Sequence, residues 1–101
     1  MKLKMAHDRL KAGDTVFAAW IAINDPLSVE VMGGAGYDAL ILDAQHGGVT
    51  WDRMGQLLQA ADLSKTTSFV RVPWNSPDRI MRALDLGAAG VIVPMVSTAR
   101  Q

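Results

Sequence analysis

Apolar residues along this chain follow two rhythms. Four stretches, 15–23, 37–43, 67–72 and 90–94, are dominated by consecutive apolar residues, many of them Val, Ile, Leu or Phe. Runs of this kind mark strands buried on both faces and favour a parallel sheet over an antiparallel one. Between them the apolar residues recur every three or four positions, the rhythm of a helix with one buried face. Ala6 to Ala12 predicts a short amphipathic helix ended by Gly13. Asp25-Pro26 predicts a helix start, with Asp as N-cap and Pro in the first helical position. That helix carries Leu27 and Val31 on one face and stops at Gly33-Gly34. Thr50 is expected to cap a third helix, whose Met54, Leu57, Leu58 and Ala61 share a core-facing side. Ser76-Pro77 repeats the cap-then-proline start, with Ile80, Met81 and Leu84 as the expected buried stripe and Gly87 as the stop.

The predicted order is one helix, three strand–helix pairs and a fourth strand. Strands and helices alternating over short connections imply parallel strands joined by right-handed crossovers. A weak internal repeat agrees: Gly34-Ala35-Gly36 leads into Ala39-Leu40-Ile41-Leu42, and Gly87-Ala88-Ala89-Gly90 leads into Val91-Ile92-Val93. The fold class expected is α/β, the N-terminal half of a (β/α)8 TIM-type barrel with about four parallel strands. Ser97 predicts a further N-cap and Thr98 to Gln101 a first helical turn, too short to be stable alone. Residues 1–101 are therefore expected to form a single partial domain, truncated at its C-terminus, about half of the roughly 250 residues of such a barrel. Two open sheet edges and an uncovered core face would make such a fragment self-associated or poorly folded.

Composition narrows the function classes. Half of the 101 residues are hydrophobic and 20% are charged, ordinary for a globular domain and too apolar for disorder. Ten basic residues balance ten acidic ones, and they are scattered, so nucleic acid is not an expected partner. The absence of cysteine excludes disulfides and thiolate metal sites. Residues 16–23 are too short to span a bilayer and lack a signal-peptide cleavage pattern. No membrane partner and a cytoplasmic location are the default expectation.

In α/β barrels, function gathers at the C-terminal ends of the strands. Here those ends carry Trp20 to Asn24, Asp43-Ala44-Gln45-His46-Gly47, Arg71-Val72-Pro73-Trp74-Asn75 and Pro94-Met95. His46 follows a buried strand, beside two glycines expected to leave room for a ligand. Imidazole suits proton exchange at neutral pH, and Asp43, three residues earlier, could hold its ring. The alternative is a solvated loop histidine, with Asp43 capping the turn. Arg71 closes an apolar strand and could grip a carboxylate in bidentate fashion, or form a structural ion pair, with Asp43 as one candidate. Trp20 and Trp74 could wall a pocket or simply belong to the core. His7 is expected at the surface, and Asp85 is expected to pair with Arg82 or solvent. The Gly33 to Gly36 cluster follows a helix and precedes a strand, the reverse of a dinucleotide loop, and is not read as a phosphate cradle.

At these residues the chain resembles the HpcH/HpaI aldolase family of metal-dependent pyruvate aldolases. The resemblance rests on Ala35-Gly36-Tyr37-Asp38 leading to Leu42-Asp43-Ala44-Gln45-His46-Gly47, then Val70-Arg71-Val72-Pro73-Trp74-Asn75, then Leu84-Asp85-Leu86-Gly87-Ala88 running to Pro94-Met95-Val96. It covers nearly the whole chain in the right order. The resemblance implies a (β/α)8 barrel that cleaves 4-hydroxy-2-oxo acids to pyruvate and an aldehyde. It assigns acid–base catalysis to His46 with Asp43 nearby, binding of the pyruvate carboxylate and keto oxygen to Arg71, and pocket lining to Trp20. Gln45, placed with the substrate-binding residues, stands where many members have Glu, so aldehyde preference is open.

The resemblance further implies a divalent metal (Mg²⁺, Mn²⁺ or Co²⁺) in the intact protein. The family's ligands, a Glu and an Asp, lie on later strands. The lone glutamate here, Glu30 on the second helix, cannot match, so no metal ligand is expected in this chain, and the chain alone is expected to be inactive. A small 2-oxo acid is the expected partner, and a homo-oligomer the expected assembly when intact. Two other functions are compatible with the same residues: a citrate-lyase β-like barrel acting on a CoA thioester, and a non-enzymatic α/β module binding a small carboxylate through Arg71.

Overall fold

The computed structural model describes residues 2–64 and 66–101, with side chains from Met5 onward. Its elements run α1 (Lys2–Lys11), β1 (Ala18–Ile21), α2 (Pro26–Gly33), β2 (Ala39–Asp43), α3 (Trp51–Asp62), β3 (Thr67–Arg71), α4 (Pro77–Asp85) and β4 (Gly90–Ile92). The strands form one parallel sheet in the order β1-β2-β3-β4. An α/β fold of alternating strands and helices is therefore what the sequence encodes, and strands adjacent in sequence are adjacent in the sheet.

The register explains which residues meet. Ala19 and Ile21 stand beside Leu40 and Leu42, and Leu42 beside Val70, which adjoins Val91. Side chains alternate across a strand, so these residues share one face. Val29 of α2, Met54, Leu57, Leu58 and Ala61 of α3 and Ala83 of α4 pack onto it as one core. The opposite face carries Trp20, Ile41 and Phe69 in one row, and above them the row of Asp43, Arg71 and Ile92. At its lower end α1 packs on β3. The Ala6 N–H donates to Thr67 Oγ1 at 3.3 Å, and Arg9 ties α1 to Asp38 by an ion pair and to the Thr15 carbonyl at 3.1 Å.

Helix boundaries follow local chemistry. The Asp25 carboxylate accepts from the N–H of Leu27 and of Ser28, both at 3.3 Å, with Pro26 in the first turn. Gly87, at φ +114°, closes α4 in the left-handed conformation that glycine adopts without cost. Three caps differ from expectation. Ser76 and Thr50 occupy N-cap positions without capping through their side chains. The Ser76 hydroxyl hydrogen-bonds Asp78 instead, and Thr50 Oγ1 accepts from Asn24 Nδ2 at 2.9 Å. Past β4, residues 98–100 form a turn rather than a helix start, and the Gln101 side chain, not Ser97, accepts the free N–H groups of Ser97 and Thr98.

Two helices present a different face from the one read off the periodicity. Leu27 and Val31 do share a side of α2, but it is the exposed one, and Val29 and Gly33 face the core. In α4, Ala83 is buried and Ile80 half-buried, while Met81 and Leu84 are 60% and 46% exposed. A helix laid on a sheet buries a narrow line of contacts, and small residues such as Gly33 and Ala83 allow close approach. Strand β1 is also shorter than its apolar run. Thr15 to Phe17 precede the strand, and the Phe17 carbonyl accepts from the N–H groups of Asp38 and Ala39 where the ladder begins.

Candidate active site

Asp43 ends β2 and Arg71 ends β3, and the parallel register sets them side by side. Arg71 Nε donates to Asp43 Oδ1 at 3.0 Å and Nη2 to Oδ2 at 2.7 Å, a bidentate ion pair. From β1, Trp20 Nε1 donates to the same Oδ2 at 3.0 Å, and its ring lies 4.8 Å from the guanidinium carbon of Arg71. The other oxygen also accepts the backbone N–H of Gln45 at 3.0 Å and of His46 at 3.2 Å. One buried carboxylate thus gathers three strands and the loop after β2. Burial pushes the Asp43 carboxyl upward. The bonds from Arg71, Trp20 and the His46 and Gln45 N–H groups outweigh burial and hold it far below the usual carboxylate range. Reciprocally, the bond to Asp43 raises Arg71.

Of the alternatives left open by the sequence, the structure contains the Asp43–Arg71 ion pair and the Asp43-capped turn. The expected contact between Asp43 and the His46 ring is not made. Asp43 holds the backbone of His46, and the imidazole, on an exposed residue, has no hydrogen-bond partner among the described residues. The reason is competition: a carboxylate already facing a guanidinium, an indole N–H and two amides has no lone pair directed at the ring. Gln45 sits half-buried between them. His7, Asp85 and Trp74 are exposed, Trp74 on the loop after β3.

The two glycines after His46 also serve a different purpose from the one expected. A Cβ on Gly47 would lie 2.7 Å from the Asp43 carbonyl oxygen and 2.9 Å from Asp43 Cβ, and one on Gly48 would lie 2.8 Å from the Ala22 carbonyl oxygen. Their space is filled by the protein's own backbone, not kept for a ligand. The Gly48 N–H donates to that Ala22 carbonyl at 2.7 Å, and Asn24 reaches across to Thr50. Asn24 is a site-building residue that pattern reading missed, since a polar side chain after a strand carries no signal of its partner. Gly47→Ala is expected to destabilise the protein by roughly 2 kcal/mol, because the new methyl meets rigid backbone. Urea denaturation at neutral pH measures this, and an unchanged midpoint would show that the loop can relax.

The described residues do not fit a divalent metal. No three His, Asp or Glu side chains converge among them. Asp43 has both oxygens engaged, and Glu30 is exposed on α2. Past β4, Met95 adopts φ +61°, a left-handed conformation uncommon for a residue with a side chain. An apolar cleft of about 230 Å³ follows the end of β1, lined by Trp20, Ile21, Ala22, Ile23, Ser28 and Met32. A cleft of about 410 Å³ lies at the opposite end of the sheet, beside Arg9 and Asp38, away from these groups.

A parallel sheet with α2, α3 and α4 on one face, and a polar cluster at the C-terminal strand ends of the other, matches the wall of an α/β barrel, with the cluster at the end of such barrels where sites lie. The chain belongs to the HpcH/HpaI aldolase/citrate lyase family, whose profile matches residues 17–101. It is 40% identical over 92 residues to a 5-keto-4-deoxy-D-glucarate aldolase of Klebsiella pneumoniae, covering 91% of this chain and 36% of that protein. It is 36% identical over 86 residues to a hydroxypyruvate/pyruvate aldolase of Rhizorhabdus wittichii, covering 85% of this chain and 34% of that one. Among solved structures, an HpcH/HpaI aldolase/citrate lyase family protein from Burkholderia cenocepacia superposes with a TM-score of 0.85 at 29% identity, over 92% of this chain and 37% of that one. The chain spans about a third of the length of the curated relatives it matches. No helix among the described residues is long and apolar enough to cross a membrane.

Proposed function

We propose that this chain supplies one side of an aldolase site that cleaves 4-hydroxy-2-oxo acids to pyruvate and an aldehyde. The observation that carries the reading is the fixed guanidinium of Arg71. Of its five N–H donors, two are held by Asp43, which leaves three for a substrate carboxylate and keto oxygen. In the cleavage, a base takes the proton of the C4 hydroxyl and the C3–C4 bond breaks. Its electron pair passes toward the keto carbonyl, giving the pyruvate enolate and the free aldehyde, and the enolate is then protonated at C3. Donors preorganised at the position of developing negative charge favour that step, which is the role proposed for Arg71. Imidazole is suited to moving the proton, the role proposed for His46. Asp43 orients both: the guanidinium through its carboxylate and the loop through the two amides.

HpcH/HpaI proteins typically use a divalent metal, and the intact protein is proposed to do so with ligands from outside the described residues. The test is pyruvate release from a 4-hydroxy-2-oxo acid, with Mg²⁺ or Mn²⁺ supplied. The intact protein is expected to turn over, and His46→Asn to lower the rate by roughly 10²- to 10⁴-fold. The 101-residue chain alone is expected to stay at background. No turnover by the intact protein with any such acid would overturn the reading. A citrate synthase 36% identical to this chain, with a TM-score of 0.80, favours a second reading, in which the same anchor serves carbon–carbon chemistry on a citrate-like tricarboxylate. A product other than pyruvate would reveal it.

A further inference from the structure

We propose that Trp20 is a positioning residue for Arg71, beyond any part it takes in walling the pocket. The proposal rests on the reading of Arg71 as the substrate anchor. Trp20 touches both members of the ion pair at once. Its N–H edge donates to Asp43 Oδ2 at 3.0 Å, the oxygen that also accepts Arg71 Nη2 at 2.7 Å, and its ring lies 4.8 Å from the guanidinium carbon.

These contacts restrict different motions. The bidentate bond to Asp43 fixes the in-plane orientation of the guanidinium, but leaves the pair free to tilt together about the line joining them. A flat ring packed against the guanidinium opposes that tilt, and cation–ring attraction adds to the steric stop. The indole N–H in turn keeps the carboxylate from rotating to share its oxygens differently. The three side chains come from β1, β2 and β3, so each restraint crosses a strand boundary and is anchored in the ladder. The consequence is that the three remaining N–H donors of Arg71 point in a direction set by Trp20. A residue that merely lines a pocket needs neither the N–H bond nor the stacking contact.

The experiment is a double-substitution cycle in the intact protein, read by calorimetric titration with pyruvate. Pyruvate is the smallest fragment that Arg71 would hold. Trp20→Phe keeps a ring and loses the N–H, while Trp20→Leu loses both. The expected result is roughly five- to tenfold weaker pyruvate binding for Trp20→Phe, with a larger loss for Trp20→Leu. Trp20→Phe should cause no further loss once Arg71 is already Lys. The indole ¹⁵N–¹H resonance of Trp20, assigned by its disappearance in Trp20→Phe, should move in Asp43→Asn. Thermal melts confirm that the variants are folded.

If Arg71→Lys weakens pyruvate binding and Trp20→Phe is either neutral or fully additive with it, Trp20 is only a wall and the proposal fails while the site reading stands. If Arg71→Lys leaves pyruvate binding unchanged, the site reading itself fails, and the positioning role with it.

Discussion

Arg71→Lys is expected to lower kcat/KM for a 4-hydroxy-2-oxo acid by roughly 100- to 1000-fold, the scale reported for removing one preorganised donor from an oxyanion site. Lysine keeps the positive charge, so the loss isolates geometry. The guanidinium is planar and presents a fork of donors, and one edge of that fork already matches both oxygens of Asp43, at 3.0 and 2.7 Å. The free donors are therefore aimed before substrate arrives. An ammonium is a point charge on a flexible stem. It can approach Asp43 or a substrate carboxylate, and the deeply ionised Asp43, already supported by Trp20 and two amides, is the stronger competitor. Both kcat and the affinity for pyruvate should fall, since the same donors meet the carboxylate in the ground state and the enolate oxygen as it develops. A change below about threefold would show that Arg71 is a structural ion pair and nothing more.

That alternative was visible in the sequence, and so was much of the frame around it. Helix starts were legible where they depend on neighbours in the chain. Asp25-Pro26 works through groups two and three residues away, and Gly87 through its own φ angle. The partner of Asp43 was not legible from spacing. His46 is three residues from Asp43, which suggests a local pair, whereas the parallel register brings in Arg71 from 28 residues away and Trp20 from 23. Register is a property of the assembled sheet. It also decides what Gly48 accommodates, because the Ala22 backbone that fills its space follows β1 rather than β2; Gly47 meets Asp43 of its own strand first and Ala22 second. Helix faces failed for a related reason. Periodicity finds the apolar residues of α4, but only docking on β4 selects Ile80 and Ala83 over Met81 and Leu84.

Asp43→Asn should be the most damaging conservative change to stability, on the order of 3 kcal/mol at neutral pH. The amide has nearly the shape of the carboxylate but the wrong bonding. Each Asp43 oxygen faces only donors: one meets Gln45 N–H, His46 N–H and Arg71 Nε, the other Trp20 Nε1 and Arg71 Nη2. Whichever way the amide is turned, its NH₂ confronts N–H groups, and Arg71 is left without its counter-charge. The same bonds predict how the effect varies with pH. They depress the Asp43 carboxyl in the folded state relative to about 3.9 in the unfolded chain. The stabilisation is therefore complete above that value, and is lost as the pH falls below it toward the folded pKa, while the unfolded chain takes up the proton first. The gap between the wild-type and Asp43→Asn urea midpoints should accordingly be widest at pH 7, begin to narrow near pH 4 and continue to close toward pH 2. Asp25, Asp52 and Asp78 are also lowered, but they are common to both proteins and cancel in the difference. A gap that stays constant from pH 7 to pH 2 would mean that the charge of Asp43 contributes nothing, and that the loss in Asp43→Asn comes from the amide's mismatched hydrogen bonds alone.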